Sequence, residues 1–259
     1  MTVIDFYHLI DDFAPFVTQA DGDNSGFLVG SGSQEITSVL FALDVTDPVI
    51  NEAVRLGAQL IVTHHPLMFS PVQKITENDY ESRLIRHLIR ENISLIAAHT
   101  NLDQAPGGIN DVLAACCGLS DVTGEGFFRF GFLPATVTAR EYADRLKTLL
   151  HTEVRLMGPE DAPVRKIGLC SGGGSSEWQN AFSNGCDAFL SGEIRHHHAL
   201  AMADCGITAF ECGHFATEEP GIRALSSALQ KNINKVKCKV RIYRSEISAY
   251  SFPGNRDRR

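Results

Sequence analysis

Seven of the ten histidines of this 259-residue chain fall in short motifs with acidic residues near them. His64 and His65 stand in THHP (63–66), and His99 and Asp103 bound HTNLD (99–103). His196, His197 and His198 lie in SGEIRHHHAL, and His214 and Glu218 in GHFATE (213–218). Imidazole with carboxylate is a donor set for Zn, Fe, Mn or Co, and it does not distinguish among them. Consecutive residues such as His64 and His65 point opposite ways along a regular strand, so one ion takes both only where the chain kinks. Two ions a few ångströms apart can take one each. Asp103 and Glu218 offer carboxylates to bridge such a pair, and the i, i+4 spacing of His214 and Glu218 aligns both on one helix face. Two divalent ions about 3.5 to 4 Å apart turn a bridging water into a hydroxide nucleophile near neutral pH. Metal-assisted hydrolysis is therefore the chemistry these residues fit.

Each cluster alone has a plainer reading. HHP can be a loop, Asp103 an Asx turn before Pro106-Gly107-Gly108, and His214 with Glu218 an exposed helix start. Three clusters from different parts of the chain, taken jointly, carry the metal reading. His99 is expected either to orient a ligand or the water, or to be a core histidine satisfied by backbone. His196 to His198 open a helix and fan out by about 100° each, so they cannot all meet one ion. One or two of them, His197 in particular, are expected to bind substrate or shuttle protons, with Glu193 and Arg195 beside them. SGGGSS (171–176) lacks the Lys of a phosphate-binding loop, and a flexible turn is the favoured reading.

Hydrophobic periodicity supplies the elements that position these groups. An amphipathic N-terminal helix, without the features of a signal peptide, precedes strands at 36–43, 59–63 and 93–98 and helices at 48–57, 80–90 and 109–117. THHP and HTNLD each follow a strand, where ligand-gathering loops of α/β sheets lie. The Gly- and Phe-rich stretch 121–135 is expected to divide an N-terminal lobe, 1–125, from a C-terminal lobe, 126–259. The second lobe is expected to have helices at 138–150, 177–183, 196–204 and 218–230 and strands at 164–170, 187–190 and 207–211. In a last strand, Val236, Cys238, Val240 and Ile242 alternate with Lys235, Lys237, Lys239 and Arg241, as in a Lys-protected edge or the wall of a phosphate site.

The composition, 44% apolar with a net charge of -8, is that of a folded globular protein. Residues 1–125 hold 17 acidic and 5 basic side chains, which disfavours non-specific nucleic-acid binding there. Direct nucleic-acid binding is not expected, although the C-terminal half, with 18 basic and 14 acidic side chains, leaves room for a basic surface. No apolar run reaches the ~18 residues of a membrane span, and the seven cysteines lack C-x-x-C spacing, as suits buried thiols in a reducing cytoplasm.

DNSGFLVG (23–30), LIVTHHPLMF (60–69), AAHTNLDQAPGGINDVLA (97–114), LSGEIRHHHAL (190–200) and GHFATEEPGIRAL (213–225) resemble, in order, the signatures of the GTP cyclohydrolase 1 type 2 homologue family, also called Ngg-interacting-factor-three-like. The resemblance spans about residues 1 to 245, in the short form that lacks the middle insertion of some relatives. It differs at Gly22, where the family usually has an aromatic residue. It implies two α/β lobes with mixed sheets flanked by helices, a dinuclear metal site between them, and a homohexamer. It implies metal ligands at His64, His65, Asp103, His214 and Glu218, with Glu218 as the bridge. Glu218, His99 and His197 are the expected catalytic groups. The expected function is a hydrolase using two divalent ions per chain on a nucleotide-like or phosphate-ester small molecule. A non-catalytic metal-binding, metal-delivery or adaptor protein is the alternative.

Overall fold

Capping and apolar periodicity fix the local elements. In a computed structural model, which describes residues 1–235 and 239–248, the Thr46 side chain accepts from the Val49 amide to start one helix, and Gly57 ends it in the left-handed region at φ 61°. Asp79 caps another by accepting from the Ser82 amide. In chain order the elements are α1 (Val3–Phe13), β1 (Gly26–Val29), β2 (Ser38–Ala42), α2 (Asp47–Leu56), β3 (Leu60–Thr63), α3 (Tyr80–Arg90), β4 (Ser94–Ala97), α4 (Thr100–Gln104) and α5 (Ile109–Cys116). There follow β5 (Ser120–Thr123), β6 (Arg129–Thr138), α6 (Ala139–Leu150), β7 (Arg155–Met157), β8 (Pro163–Cys170), α7 (Trp178–Ser183), β9 (Ala188–Ser191), α8 (His196–Asp204), β10 (Thr208–Glu211), α9 (His214–Lys235) and β11 (Arg241–Arg244).

The chain forms two compact units, each with one mixed sheet flanked by helices. The first comprises Met1–Ala105 with the described residues from Ile222 onward. Its sheet has the order β1-β4-β3-β2-β11, parallel throughout except where β1 meets β4. Strands β2, β3 and β4 are buried at every position, which explains their continuous apolar runs. Leu40, Ile61, Leu84, Leu88 and Leu95 form the centre of its core, each worth roughly 1.5 to 3 kcal/mol of apolar burial.

The second unit holds Pro106–Gly221, with the strand order β5-β6-β8-β9-β10-β7. Pairs β8/β9 and β9/β10 are parallel; the remaining pairs are antiparallel. Tyr142, Leu146, Ile167, Leu190 and Phe210 are fully buried in its core, with the Tyr142 and Phe210 rings edge to face at 5.2 Å.

The expected boundary at 125 falls inside the second unit, between the paired strands β5 and β6. Gly131 and Pro134 disguise β6 as a linker, yet its first half alternates in burial and its register shifts between Phe132 and Val137, the kind of irregularity that admits a proline. The expected C-terminal lobe also loses its last strand: β11 pairs in parallel with β2 at the edge of the first sheet. Val236, Lys237 and Cys238 lie outside the described residues. The sequence reading also passes over β1, β7 and α4, each of three to five residues and too short to show a period. Among the described residues, no helix is long and apolar enough to cross a membrane.

Candidate metal centre

In the first unit the donors come from the ends of parallel strands. His64 and His65 follow β3 directly, beyond its regular pairing, so the alternation of a strand no longer separates their rings, whose centres are 4.9 Å apart. The Thr63 hydroxyl donates to the His65 carbonyl, and the His65 amide to the Leu43 carbonyl, pinning this corner. His99 follows β4 and precedes α4, with ring centres 5.1 Å from His64 and 5.7 Å from His65. Asp103 sits within α4 and not in an Asx turn, its amide bonded to the His99 carbonyl. Its Oδ1 lies 3.5 Å from Nε2 of the fully buried His64.

All three imidazoles are anchored through Nδ1. His64 Nδ1 lies 2.8 Å from the Ala98 carbonyl, His65 Nδ1 2.7 Å from Asp44 Oδ1, and His99 Nδ1 2.8 Å from Asp23 Oδ1. An acceptor at Nδ1 places the proton there and leaves Nε2 as the lone-pair nitrogen, the arrangement that metal-binding histidines use. One ring nitrogen from each of the three lies within 4.8 Å of the others.

The second unit presents a matching pair. His214 opens α9 and Glu218 follows one turn later, with His214 Nε2 3.0 Å from Glu218 Oε2 and His214 Nδ1 2.9 Å from Glu193 Oε1. The helix begins at His214, earlier than the expected 218, which sets both residues in its first turns. Two loops close on them through glycines. A side chain at Gly172, which has φ +53°, would come within 2.0 Å of Glu218 Oε1, and one at Gly192 within 2.9 Å of His214 Cα. The SGGGSS segment is thus packed against the carboxylate and is not a free turn. The amides of Ser171, Gly172 and Gly174 are spent on Asn110, Thr217 and Ser171, which argues against a phosphate cradle.

These separations suit a metal ion: two donors at about 2.1 Å on one tetrahedral ion stand roughly 3 to 3.5 Å apart. Within the first unit that fits His64 with Asp103, and within the second His214 with Glu218.

Electrostatics reinforces the anchors. Burial would raise the Asp23 carboxyl, but bonds from Thr100, His99 and Ser25, with the charge of His99, outweigh it and hold Asp23 ionised well below the usual carboxylate range. Its side chain is 4% exposed. Burial lowers the His99 pKa, as does the proximity of His64 and His65, while Asp23 opposes the shift.

His196, His197 and His198 open α8. His196 and His197 are exposed, and the His197 ring meets that of His198 at 4.2 Å. His198 Nδ1 lies 3.0 Å from the buried Ser175 hydroxyl. Neither donor group includes His197. Sequence reasoning passed over Asp44 and gave no role to Asp23. Both are acids in strand-flanking loops, Asp44 standing two residues after β2, level with His65 after β3.

A sequence model of the Duf34/NIF3 (NGG1p interacting factor 3) family matches residues 1–250. A protein of Clostridium acetobutylicum named GTP cyclohydrolase 1 type 2 homolog is 29% identical, covering 97% of this chain and 99% of its own length. Its namesake in Clostridium perfringens is 32% identical, over 90% and 93%. Among solved structures, Staphylococcus aureus hypothetical protein SA1388 superposes with a TM-score of 0.92 at 28% identity, covering 97% of this chain and 99% of that one. Reduced HcgD from Methanocaldococcus jannaschii reaches 0.81 at 26% identity, over 95% and 98%. The chain belongs to the Duf34/NIF3 family.

Proposed function

We propose that the chain is a metal-dependent hydrolase of a nucleotide-like or phosphate-ester substrate, with His64, His65, Asp103, His214 and Glu218 holding two divalent ions. The observation that carries this reading is the repeated unit of design: an imidazole whose Nδ1 is fixed by a carbonyl or carboxylate, its Nε2 set 3.0 to 3.5 Å from a carboxylate oxygen. The ions, when bound, would supply an activated water and neutralise charge on the substrate.

The protein's own residues do the rest. Ala98, Asp44 and Glu193 fix the orientation and tautomer of His64, His65 and His214. Glu218 and His99 are proposed to touch the reacting centre, and His197 to meet substrate from α8. The names of the Clostridium relatives support a nucleotide-related substrate. The family resemblance supports a homohexamer, and the composition a cytoplasmic setting. The test is turnover of a nucleotide and phosphodiester panel by the metal-loaded chain and by Glu218→Gln. We expect metal-dependent turnover that falls at least a hundredfold in the variant. A loaded chain that is inert on the whole panel and passes its metal to an acceptor protein would replace this reading with metal delivery.

A further inference from the structure

The loop that follows His65 carries an aromatic ring to which the metal reading gives no task. Leu67 is buried there, Met68 and Val72 pack against the core of the first unit, and the Met68 carbonyl accepts from the Asn24 side-chain amide at 2.7 Å. Phe69, the largest apolar side chain of this stretch, is nevertheless 59% exposed. Its ring stands edge-on to that of His99, with 5.8 Å between centres and 82° between planes.

A single exposed phenyl ring on a protein surface is ordinary. Two features set this one apart. The chain is pinned on both sides of it, by Leu67 and Met68 before and by Val72 after, so the ring is presented from a fixed stem. The ring also touches His99, whose own centre lies 5.1 Å from that of His64 and 5.7 Å from that of His65. What Phe69 offers a ligand is π-surface and not a hydrogen bond. An aliphatic side chain would cover the same histidines, whereas a phenyl ring adds a flat face on which a planar heterocycle stacks, whichever base it is.

Resting on the hydrolase reading above, we infer that Phe69 is a specificity-determining residue that stacks the base of a nucleotide whose phosphate lies toward His64, His65 and His99. The histidines and carboxylates alone do not distinguish a nucleotide from a simple phosphate ester. Phe69 does, because only the nucleotide brings a ring to meet it. Stacking tolerates any base, so the selection is for a base over none and not for one base through hydrogen bonds.

The test is calorimetric titration of the metal-loaded full chain with GMP, UMP and ribose 5-phosphate, with metal content measured in every sample. Both nucleotides are expected to bind more tightly than ribose 5-phosphate. Phe69→Ala should weaken both about five- to a hundredfold, leaving ribose 5-phosphate and metal content unchanged, and Phe69→Tyr should restore them. In Phe69→Trp, saturable fluorescence quenching by GMP should exceed that of the wild type, whose one tryptophan is Trp178. Nucleotide affinity unchanged in Phe69→Ala would overturn the inference, as would a wild type that prefers neither nucleotide to ribose 5-phosphate. Unchanged affinity with an altered sedimentation coefficient would assign the ring to a contact between copies of the chain instead. A chain that binds GMP through Phe69 yet hydrolyses nothing keeps this inference and loses the hydrolase reading. Metal-dependent nucleotide turnover with the same KM in wild type and Phe69→Ala does the reverse.

Discussion

His64 Nε2 faces Asp103 Oδ1 at 3.5 Å, while His64 Nδ1 is bound to the Ala98 carbonyl at 2.8 Å. One side chain thereby couples three pieces of the fold: the end of β3, the end of β4 and the short helix α4. A fully buried imidazole held so firmly on one nitrogen has its other nitrogen aimed by the backbone. Asp103→Asn removes the charge and keeps the shape. We expect it to lower metal affinity at least tenfold with little change in thermal stability, as measured by competition with a chromophoric chelator.

Asp44 makes the corresponding prediction for His65. It is about half exposed on the side chain and contributes to no core. Its carboxylate accepts from His65 Nδ1. Asp44→Asn offers either a weaker acceptor or, with the amide turned, a competing donor that favours the wrong tautomer. Metal affinity should fall about ten- to a hundredfold, and 15N chemical shifts of the metal-free chain should report a changed His65 tautomer.

Gly172 tests the second unit. Alanine there would meet Glu218 Oε1 and would also adopt a left-handed backbone, at roughly 1 to 2 kcal/mol. Gly172→Ala should therefore lower both the melting temperature and the metal content. Gly173→Ala, one residue on, has nothing within 4 Å of its new methyl group and should leave the metal content unchanged.

Burial is the largest influence on the thiols. Burial, opposed by Lys166 and aided by Asp187, pushes the Cys186 thiol up to about 11, and burial also raises Cys117 and Cys212 well above the ordinary thiol value. Only the thiolate reacts, so at pH 8 about one Cys186 in a thousand is reactive, and its rate should climb about tenfold per pH unit until pH 11. Among the described cysteines, alkylation followed by peptide mapping should find Cys205, which is exposed, modified first.

Much of this was legible in the sequence because strong periods survive folding. The apolar runs at β2, β3 and β4 and the helix at 80–90 could be read directly, and so could the clustering of His64, His65, Asp103, His214 and Glu218 after strands or at a helix start. What could not be read depends on contacts distant in sequence. Asp23 meets His99 across 76 residues and Asp44 meets His65 across 21, so neither spacing is a motif. The return of β11 to β2 was hidden for the same reason, since a parallel pairing leaves no local signature.

Whether His64, His65, Asp103, His214 and Glu218 hold two ions for catalysis is tested most directly by elemental analysis of the purified chain combined with a hydrolysis screen in the same metal. The account predicts two divalent ions per chain, loss of turnover on chelation and its return on reloading. Hydrolysis that survives complete chelation would contradict it, as would a purified chain that takes up no divalent ion.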